Sequence, residues 1–467
     1  MTIENLLSNP VMLTDTYNLS HERLKVNTDW EVSHIYNRAD GMILYGFVEM
    51  VQRVLKIQIT HEMIDEAIRA SKKQGVIFPE ELWRRVVAEC NGYIPLLIQS
   101  LPEGTWCPKG TPFAQVRNTV DGFGEMVTWF EGIFLQSSFP CGTATEAFKM
   151  RQYLESLKAE KNYDPSFLTR IHSFGFRGAR SLEDAYWAGT SWNLFLFGTD
   201  DFHTMIHTPK AKMSSISALA HKVTQQYDVE YDGYIHTIDA TADAGESVVA
   251  IVIDTYDADR FIAEYLAPLA NYAKEKGVHL VIRPDSGDVN EQVVEVYKQT
   301  QKHGLTNVSA IIGEGMSYQN IKRTDFFFNM KQVPLEFVSY GVGGGFYNDI
   351  TRDTLGFAMK TAYSNGAPRM KFGMNPLKRS IPSAVQLIRN NKGEMVAEVE
   401  TVADINDSLY QVIYFHDAGQ AEPTLKEVTW EETQQRALQN LNKQLQGRIV
   451  LSDGINKLVE HFEKLYI

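Results

Sequence analysis

Continuous apolar runs, each ending in a polar or glycine-rich loop, dominate the chain between about residues 165 and 360. The runs are Leu194–Asp201, Val248–Asp257, Val278–Asp288, Val308–Gly315 and Leu335–Gly345. The last four recur about every 30 residues, the length of one strand plus one helix in a parallel sheet. Segments 257–276 and 290–302 carry apolar residues at helical spacing. Because the runs do not alternate with polar residues, they predict strands that are covered on both faces.

This pattern predicts an α/β fold whose main part is an irregular βα barrel of the TIM type over residues 156–364. The loops after all strands of such a barrel open at one end and build the site there. Both chain ends mix short strands, helices and turns such as Asn391–Gly393, followed by a helix from Thr429. Residues 1–155 and 365–467 therefore predict one discontinuous, sandwich-like α+β domain into which the barrel is inserted.

Charge and composition limit the kinds of partner and the compartment that we expect for this protein. The formal net charge is −13, which argues against nucleic acid as a partner because phosphate backbones need a basic face. The start of the chain lacks a cationic stretch followed by an apolar run, and no apolar segment is long enough for a membrane span. Three scattered cysteines fit a reducing compartment. We expect a cytoplasmic protein without a membrane partner.

The segment RPDSG, Arg283–Gly287, follows one predicted strand. A site in which positive charge develops on a substrate while a phosphate group departs needs carboxylates and cations held in place. Arg283 and Asp285, two residues apart, would point the same way and serve both needs. A surface ion pair with a proline turn is the plainer alternative.

The glycine run GVGGG, Gly341–Gly345, also follows a strand and should begin the next helix. Glycines let backbone N–H groups approach a phosphate, and late barrel loops often hold one. A flexible turn is the alternative. The shorter Gly313–Gly315 has Glu314 as a possible acceptor for a hydroxyl group.

Three further positions suggest contacts with a planar ring. Phe174 in HSFGFRG could stack on a heteroaromatic base, with Arg177 beside it. Asp200 could accept from a carboxamide NH₂, although a helix N-cap is the commoner role. His221 is a lone histidine whose ordinary reading is structural or exposed.

A basic run follows the glycines: Arg352, Lys360, Arg369, Lys371, Lys378 and Arg379. In an acidic protein it indicates a polyphosphate site, although such runs are usually solvated faces. Lys360 lies in an apolar, strand-like stretch, which also permits a Schiff-base lysine.

With these segments assembled, the chain resembles the nicotinamide phosphoribosyltransferases, a branch of the type II phosphoribosyltransferases. The resemblance runs nearly end to end. Its motifs are TDTYNLSH (14–21), LYGFVEMVQRVL (44–55), LPEGTWCPKG (101–110), HSFGFRG, GTD, IDTYD, IRPDSGD, GEG, GVGGG, TRD (351–353) and KRS (378–380).

The resemblance implies a homodimer with two active sites at the subunit boundary. Phe174 of one chain and Tyr17 of the other would enclose the pyridine ring, with Asp15 near Tyr17. Asp200 would bind the carboxamide and select the amide over the free acid, with Arg177 beside it.

The same resemblance implies roles around the sugar and phosphates. Asp285, Gly313 and Glu314 would hold ribose hydroxyls, and Arg283, Gly343 and Gly344 would take the 5′-phosphate. Asp254 would lie near the ribose and the Mg²⁺–pyrophosphate. The cations reaching pyrophosphate across the dimer would be Arg38, Arg352, Lys360 and Lys371.

Magnesium is expected through pyrophosphate rather than on a protein ligand set. His221 matches a histidine that some members phosphorylate with ATP, but Ala220 stands where the family usually has Glu. Glu314 replaces an expected Asp, and the stretch between Lys360 and Lys371 is shorter than usual.

These expectations converge on one reaction: nicotinamide and phosphoribosyl pyrophosphate give nicotinamide mononucleotide and pyrophosphate, with Asp285, Arg283, Asp254 and His221 as catalytic residues. The nearest rival is nicotinate phosphoribosyl transfer. More distant rivals are a Schiff-base aldolase that uses Lys360 and a non-catalytic barrel that senses nucleotides.

Overall fold

The structure is a computed structural model that describes residues 8–24, 28–373, 375 and 378–466. Its strands lie where the sequence has short apolar runs. Residues 1–7 lie outside the described residues. The expectation that the chain start lacks a cationic stretch followed by an apolar run rests partly on them. The strands are β1 (Glu31–Tyr36), β2 (Met42–Ile43), β3 (Leu96–Ser100), β4 (Trp106–Cys107), β5 (Pro112–Asn118), β6 (Ile171–Ser173), β7 (Gly198–Thr199), β8 (Ser217–Leu219), β9 (Val248–Val252), β10 (His279–Arg283), β11 (Val308–Ile312), β12 (Val338–Val342), β13 (Ala358–Ser364), β14 (Ala367–Pro368), β15 (Val385–Arg389), β16 (Met395–Val399), β17 (Gln411–Phe415), β18 (Thr424–Leu425) and β19 (Val450–Leu451).

Helices occupy most of the connections, as the spacing of apolar residues in segments 257–276 and 290–302 predicts. They are α1 (His21–Leu24), α2 (Phe47–Leu55), α3 (His61–Gln74), α4 (Glu80–Glu89), α5 (Met126–Trp129), α6 (Glu131–Gln136), α7 (Ser138–Lys161), α8 (Leu182–Trp192), α9 (His221–Thr224), α10 (Glu230–Asp243), α11 (Ala258–Arg260), α12 (Leu266–Glu275), α13 (Val289–His303), α14 (Tyr318–Met330), α15 (Gly344–Asn348), α16 (Arg352–Leu355), α17 (Trp430–Leu438) and α18 (Asp453–Tyr466).

The chain divides into two compact units. The antiparallel-sheet unit combines Met1–Thr145 with Ile350–Ile467, and the parallel-sheet unit is Glu146–Asp349. Residues 350–364, which the sequence assigned to the barrel, lie in the antiparallel-sheet unit. The reason is strand pairing: β13 pairs antiparallel with β1, with Lys360 opposite His34.

The parallel-sheet unit is a mixed α/β structure built on a curled sheet of seven strands in the order β7-β6-β12-β11-β10-β9-β8. Each neighbouring pair is parallel. An isolated parallel bridge also joins Gly198 of β7 to Ser214, just before β8. The four long predicted strands over residues 248–342 are confirmed.

Both faces of this sheet are covered, which explains the continuous apolar runs. Val249, Ile251 and Leu280 pack in the larger core with the surrounding helices. Their neighbours Ala250 and Val281 pack with Ile311 on the opposite face. Since successive side chains of a strand point to opposite faces, each face needs its own apolar residues.

The prediction for Leu194–Asp201 is mostly wrong, because only Gly198 and Thr199 form a strand. The backbone N–H groups of Phe195 and Leu196 donate to Trp192 O, which turns the chain directly after α8. The apolar run is a buried turn whose side chains fill the core.

The antiparallel-sheet unit contains a sheet in the order β14-β13-β1-β5-β3-β17-β18. The predicted hairpin near residue 391 is confirmed as β15 and β16. Helix α17 begins after Thr429, whose side chain accepts from Glu432 N, as the sequence predicts. Helix α18 has an apolar face that the sequence analysis missed.

A buried carboxyl group in this unit should make the stability of the fold depend on pH. Glu103 is 3% exposed and accepts from Gly46 N at 2.7 Å and Val48 N at 2.9 Å, at the start of α2. Burial raises the pKa of Glu103 to about 7, against the backbone donors that lower it. The folded state therefore holds a proton that the unfolded chain releases near its ordinary value of 4.5.

We expect the free energy of unfolding, relative to that of Glu103→Gln, to fall as pH rises from about 4.5 to 7, and then to level off. Because the pKa of Glu103 is higher in the folded state, protonation of this side chain stabilises the fold at low pH. Raising the pH removes this stabilisation, which amounts to at most about 3 kcal/mol. Urea unfolding of both proteins at pH 5 and 7.5 measures this difference. A difference that does not change with pH would contradict it.

Among the described helices, none is both long and apolar enough to cross a membrane.

Candidate active site

The carboxyl-terminal edge of the parallel sheet brings three predicted residues together. His221 begins α9 after β8, and its Nε2 lies 3.6 Å from Asp285 Oδ2 and 4.0 Å from Asp254 Oδ1. Its Nδ1 lies 3.0 Å from Thr255 Oγ1. Since these residues follow neighbouring parallel strands, their side chains meet at one edge. The arrangement places an imidazole ring beside two carboxylates.

Asp254 and Arg283 each have a buried polar atom without a hydrogen-bond partner among the described residues. Ser286 Oγ donates to Asp254 Oδ2 at 2.5 Å, whereas Asp254 Oδ1 is buried and has no hydrogen-bond partner among the described residues. The Nε of Arg283 is also buried and has no hydrogen-bond partner among the described residues. Leaving a buried polar atom without a partner costs free energy, so such atoms point to a missing ligand or water.

The ring of Phe174 lies at the same edge, directly after β6. A Cβ on Gly341 would come within 2.0 Å of Phe174 Cε2, so the ring rests on the bare backbone of β12. A Cβ on Gly313 would be 3.7 Å from the ring and 3.9 Å from Asp285 Oδ1. The structure therefore brings the predicted ring-stacking, ribose and glycine positions together.

The glycine run continues into α15, with Gly343 at its N-cap. A Cβ at Gly343 or Gly344 would make only ordinary contacts, at 3.7 Å from Phe174 O and 3.5 Å from Asn348 Nδ2. Neither backbone requires a positive φ. The space beside these two backbones is therefore open, and a ligand could approach their N–H groups closely.

Asp200, Arg177 and Glu314 are exposed around this edge. Ser215 Oγ donates to Asp200 Oδ1 at 2.5 Å, and Asp200 N donates to Ser173 O at 2.9 Å. Asp200 is therefore not an N-cap that accepts from its own helix. Burial lowers the pKa of His172 nearby, and the carboxylate of Asp200 opposes that shift.

Sequence reasoning missed the residues that hold these groups in place. They are Asp201, Ser215, Thr255, Ser286 and Tyr347. Asp201 and Ser286 were visible beside the chosen residues in GTDD and RPDSG. Thr255 was likewise visible beside Asp254 in IDTYD, whereas Ser215 and Tyr347 lie outside every motif that the sequence analysis named.

The remaining predicted residues lie in the antiparallel-sheet unit. Asp15 precedes a short 3₁₀ turn, and Tyr17 is 54% exposed. Burial, then Glu131 and Asp15, raise the pKa of Tyr17. The aromatic side chain is thus available for a contact on its open face.

Four cations lie close together in that unit. Burial lowers the pKa of Lys360, and nearby Arg38, Lys371 and Arg352 lower it further against the opposing effect of Glu131. Lys360 Nζ lies 4.0 Å from Glu131 Oε1. The Nε and Nη2 of Arg38 are buried without a partner among the described residues. The predicted pyrophosphate residues therefore form one basic cluster, which we call the cation cluster.

The chain matches two protein-family models and several known proteins. Residues 169–371 match the Nicotinate phosphoribosyltransferase (NAPRTase) family, and residues 9–98 match the Nicotinamide phosphoribosyltransferase, N-terminal domain. A nicotinamide phosphoribosyltransferase of Xanthomonas campestris pv. campestris is 27% identical over 384 residues, covering 77% of this chain and 81% of the relative. One of Acinetobacter baylyi is 23% identical and covers 74% and 77%.

Two solved structures show the same fold at 14% identity. Human nicotinic acid phosphoribosyltransferase has a TM-score of 0.61, with 96% of this chain and 100% of that chain covered. Nicotinate-nucleotide pyrophosphorylase from Pyrococcus furiosus has a TM-score of 0.60, with 95% and 98% covered.

Fold, site and matches together define a phosphoribosyltransferase. The chain is similar to the nicotinate and nicotinamide phosphoribosyltransferases over residues 9–98 and 169–371.

Proposed function

We propose that this chain transfers the phosphoribosyl group of phosphoribosyl pyrophosphate to nicotinamide, for NAD salvage. The bond from C1′ to the pyrophosphate oxygen breaks, and the pyridine nitrogen lone pair forms the new bond to C1′. The products are nicotinamide mononucleotide and pyrophosphate. The observation that carries this proposal is the meeting of Asp254, Asp285, His221, Phe174 and the glycine loops at one sheet edge.

The reaction removes no proton from the base, so the residues act mainly by position and charge. Asp285 lies beside Gly313, where the two positions can hold ribose hydroxyls and stabilise the positive charge that develops on the sugar. The open backbone at Gly343 and Gly344 suits the 5′-phosphate, and Arg283 would also bind it. Phe174 supplies one face for the pyridine ring.

The proposed enzyme is a homodimer in which a second copy completes each site. Tyr17, with Asp15, would cover the second face of the pyridine ring. The cation cluster would hold the pyrophosphate. Support comes from the exposed face of Tyr17 and from the buried, unpartnered nitrogens of Arg38.

Magnesium would arrive with the pyrophosphate and neutralise part of its charge. Within the described ranges, no group of three or more His, Cys, Asp or Glu side chains forms a ligand set. The free Oδ1 of Asp254 fits the water shell of such an ion, because Mg²⁺ keeps several waters and prefers carboxylate oxygen. Its charge would then stabilise the departing pyrophosphate.

ATP is a further proposed ligand, as a phosphoryl donor to His221. That side chain is 39% exposed, and its Nε2 faces two carboxylates rather than a backbone donor. Ala220, the residue before it, offers no carboxylate of its own. Adding ATP to the assay below shows whether its hydrolysis accompanies pyrophosphate release.

We also propose that the curled sheet closes as the predicted irregular barrel, inserted between the two segments of the other unit. Support comes from the parallel bridge between Gly198 and Ser214, which links the two outer strands of the sheet order.

The test of the function is an assay of pyrophosphate release with nicotinamide and nicotinate side by side. We expect a higher kcat/KM for nicotinamide. Binding of both substrates without release would favour a nucleotide sensor. The Schiff-base rival is weakened because Lys360 lies on β13 outside the parallel sheet, and borohydride trapping with a carbonyl substrate would reveal it.

Asp200 provides a sharper test of selectivity. The side chain of Asp200 is exposed at the sheet edge, where its carboxylate would repel that of nicotinate and accept from the amide of nicotinamide. We expect Asp200→Ser to reduce the preference for nicotinamide over nicotinate about tenfold or more.

The measurement is the ratio of kcat/KM for the two bases. Asp257→Ser, which removes a carboxylate that caps α11 after another strand, is the matched control and should keep the wild-type ratio. An unchanged ratio in Asp200→Ser would remove this assignment.

A further inference from the structure

Asp201 is a buried carboxylate that the proposed reaction does not use. Its side chain is 2% exposed and accepts three hydrogen bonds. The donors are Ser173 Oγ, Tyr347 OH at 2.7 Å and Phe176 N at 3.0 Å. Burying a carboxylate is costly unless such donors surround it, so the position of each donor is tied to the others.

The three donors come from different parts of the site. Ser173 ends β6, and Phe176 belongs to the loop that carries the ring of Phe174. Tyr347 lies in α15, directly after the glycines proposed to bind the 5′-phosphate. One carboxylate thus connects the ring loop, residues 174–178, to the glycine loop, residues 343–345.

Packing between the same two loops reinforces this connection. A Cβ on Gly175 would fall 1.6 Å from the ring of Tyr347, so the ring packs directly against the loop backbone. Asn348 Nδ2 donates to Gly178 O at 3.0 Å. A Cβ on Gly178 would be 3.4 Å from Gly344 Cα. A shift of either loop therefore moves the other, since close-packed groups transmit displacement.

We propose that Asp201 and Tyr347 are positioning residues through which a 5′-phosphate on the glycine loop raises the affinity of the ring loop for the pyridine base. This inference rests on the proposed function. Ordering of the glycine loop by one ligand fixes Tyr347, and through Asp201 it fixes the ring loop before the base arrives. The base then loses less freedom on binding. By linkage, the base raises the affinity for the phosphate by the same factor.

The test is calorimetric titration of nicotinamide into the full-length protein, with and without saturating ribose 5-phosphate. This probe carries the 5′-phosphate but no leaving group, so no reaction intervenes. The ratio of the two dissociation constants is the coupling factor. We expect a factor of about fivefold or more in the wild type, and a factor near one in Tyr347→Phe and in Asp201→Asn.

Tyr340→Phe is the matched control. Tyr340 OH donates to a different carboxylate, Asp325, at 2.6 Å, and both tyrosines are fully buried. The control loses a buried hydroxyl–carboxylate bond of the same kind but should keep the wild-type coupling factor. Thermal unfolding of each variant compares the losses of stability.

An equal coupling factor in wild type and Tyr347→Phe would overturn the positioning role, provided that the wild type releases pyrophosphate. Equal loss of coupling in Tyr340→Phe would overturn it too, because general loosening would then explain the effect. A wild type that binds neither ligand and releases no pyrophosphate would instead reject the proposed function.

Discussion

Replacing Asp285 with asparagine is expected to lower kcat/KM for nicotinamide mononucleotide formation by about 10²- to 10³-fold. Asp285 Oδ2 is 3.6 Å from His221 Nε2, and its other oxygen faces Gly313. In the proposed reaction this carboxylate would stabilise the sugar cation, and the neutral amide removes the charge while keeping the shape. We expect most of the loss in kcat, since the charge matters most in the transition state.

The measurement is the initial rate of pyrophosphate release over a range of both substrates. Asp288→Asn is the control on the same loop. Asp288 caps α13 by accepting from Glu291 N at 3.1 Å, and asparagine caps almost as well. The control should keep wild-type activity. A loss below about threefold in Asp285→Asn would contradict the role assigned to this carboxylate.

The largest stability effect is expected at Asp325. This side chain is 1% exposed and pairs with Arg170, which is 4% exposed, at 3.0 Å. The hydroxyls of Tyr153 and Tyr340 also donate to it. Asp325→Ala leaves the charge of Arg170 buried without its partner, which costs about 3–5 kcal/mol.

Urea unfolding, followed at several wavelengths, measures this loss. Glu264→Ala removes one partner of an exposed pair with Arg260 and should leave the unfolding midpoint unchanged. The double change Arg170→Met with Asp325→Leu should recover much of the lost stability, because no buried charge remains. If the double variant is as unstable as Asp325→Ala, an isolated buried charge is not the cause.

The positions that sequence reasoning recovered are those whose local pattern is strong. The strands from Val248 to Val342 were predicted because apolar runs covered on both faces leave a clear signal. Strands β6 and β8 have three residues each, too few for a periodicity to appear. The run at Leu194–Leu196 failed because a buried turn and a short strand share the same apolar composition.

Among the site residues, motifs after strands led to Phe174, Asp254 and Asp285, and the structure brings these together. Asp201 stands next to Asp200, and nothing local distinguishes the two carboxylates. One is 2% exposed and holds two loops together, whereas the other is exposed. Which aspartate turns inward depends on distant donors such as the hydroxyl of Tyr347, 146 positions away in the chain.

The order of residues alone was enough to predict the parallel α/β pattern and the similarity to the phosphoribosyltransferases, because these depend on local spacing and residue type. Contacts between distant parts of the chain determined the other features of the fold and the site. They placed residues 350–364 with β1 rather than with the parallel sheet and buried Asp201 between two loops. They also left Asp254 Oδ1 and Arg283 Nε buried without a hydrogen-bond partner in the part of the chain that the structure describes. Such features arise from contacts between residues far apart in the chain, and local periodicity carries no information about them.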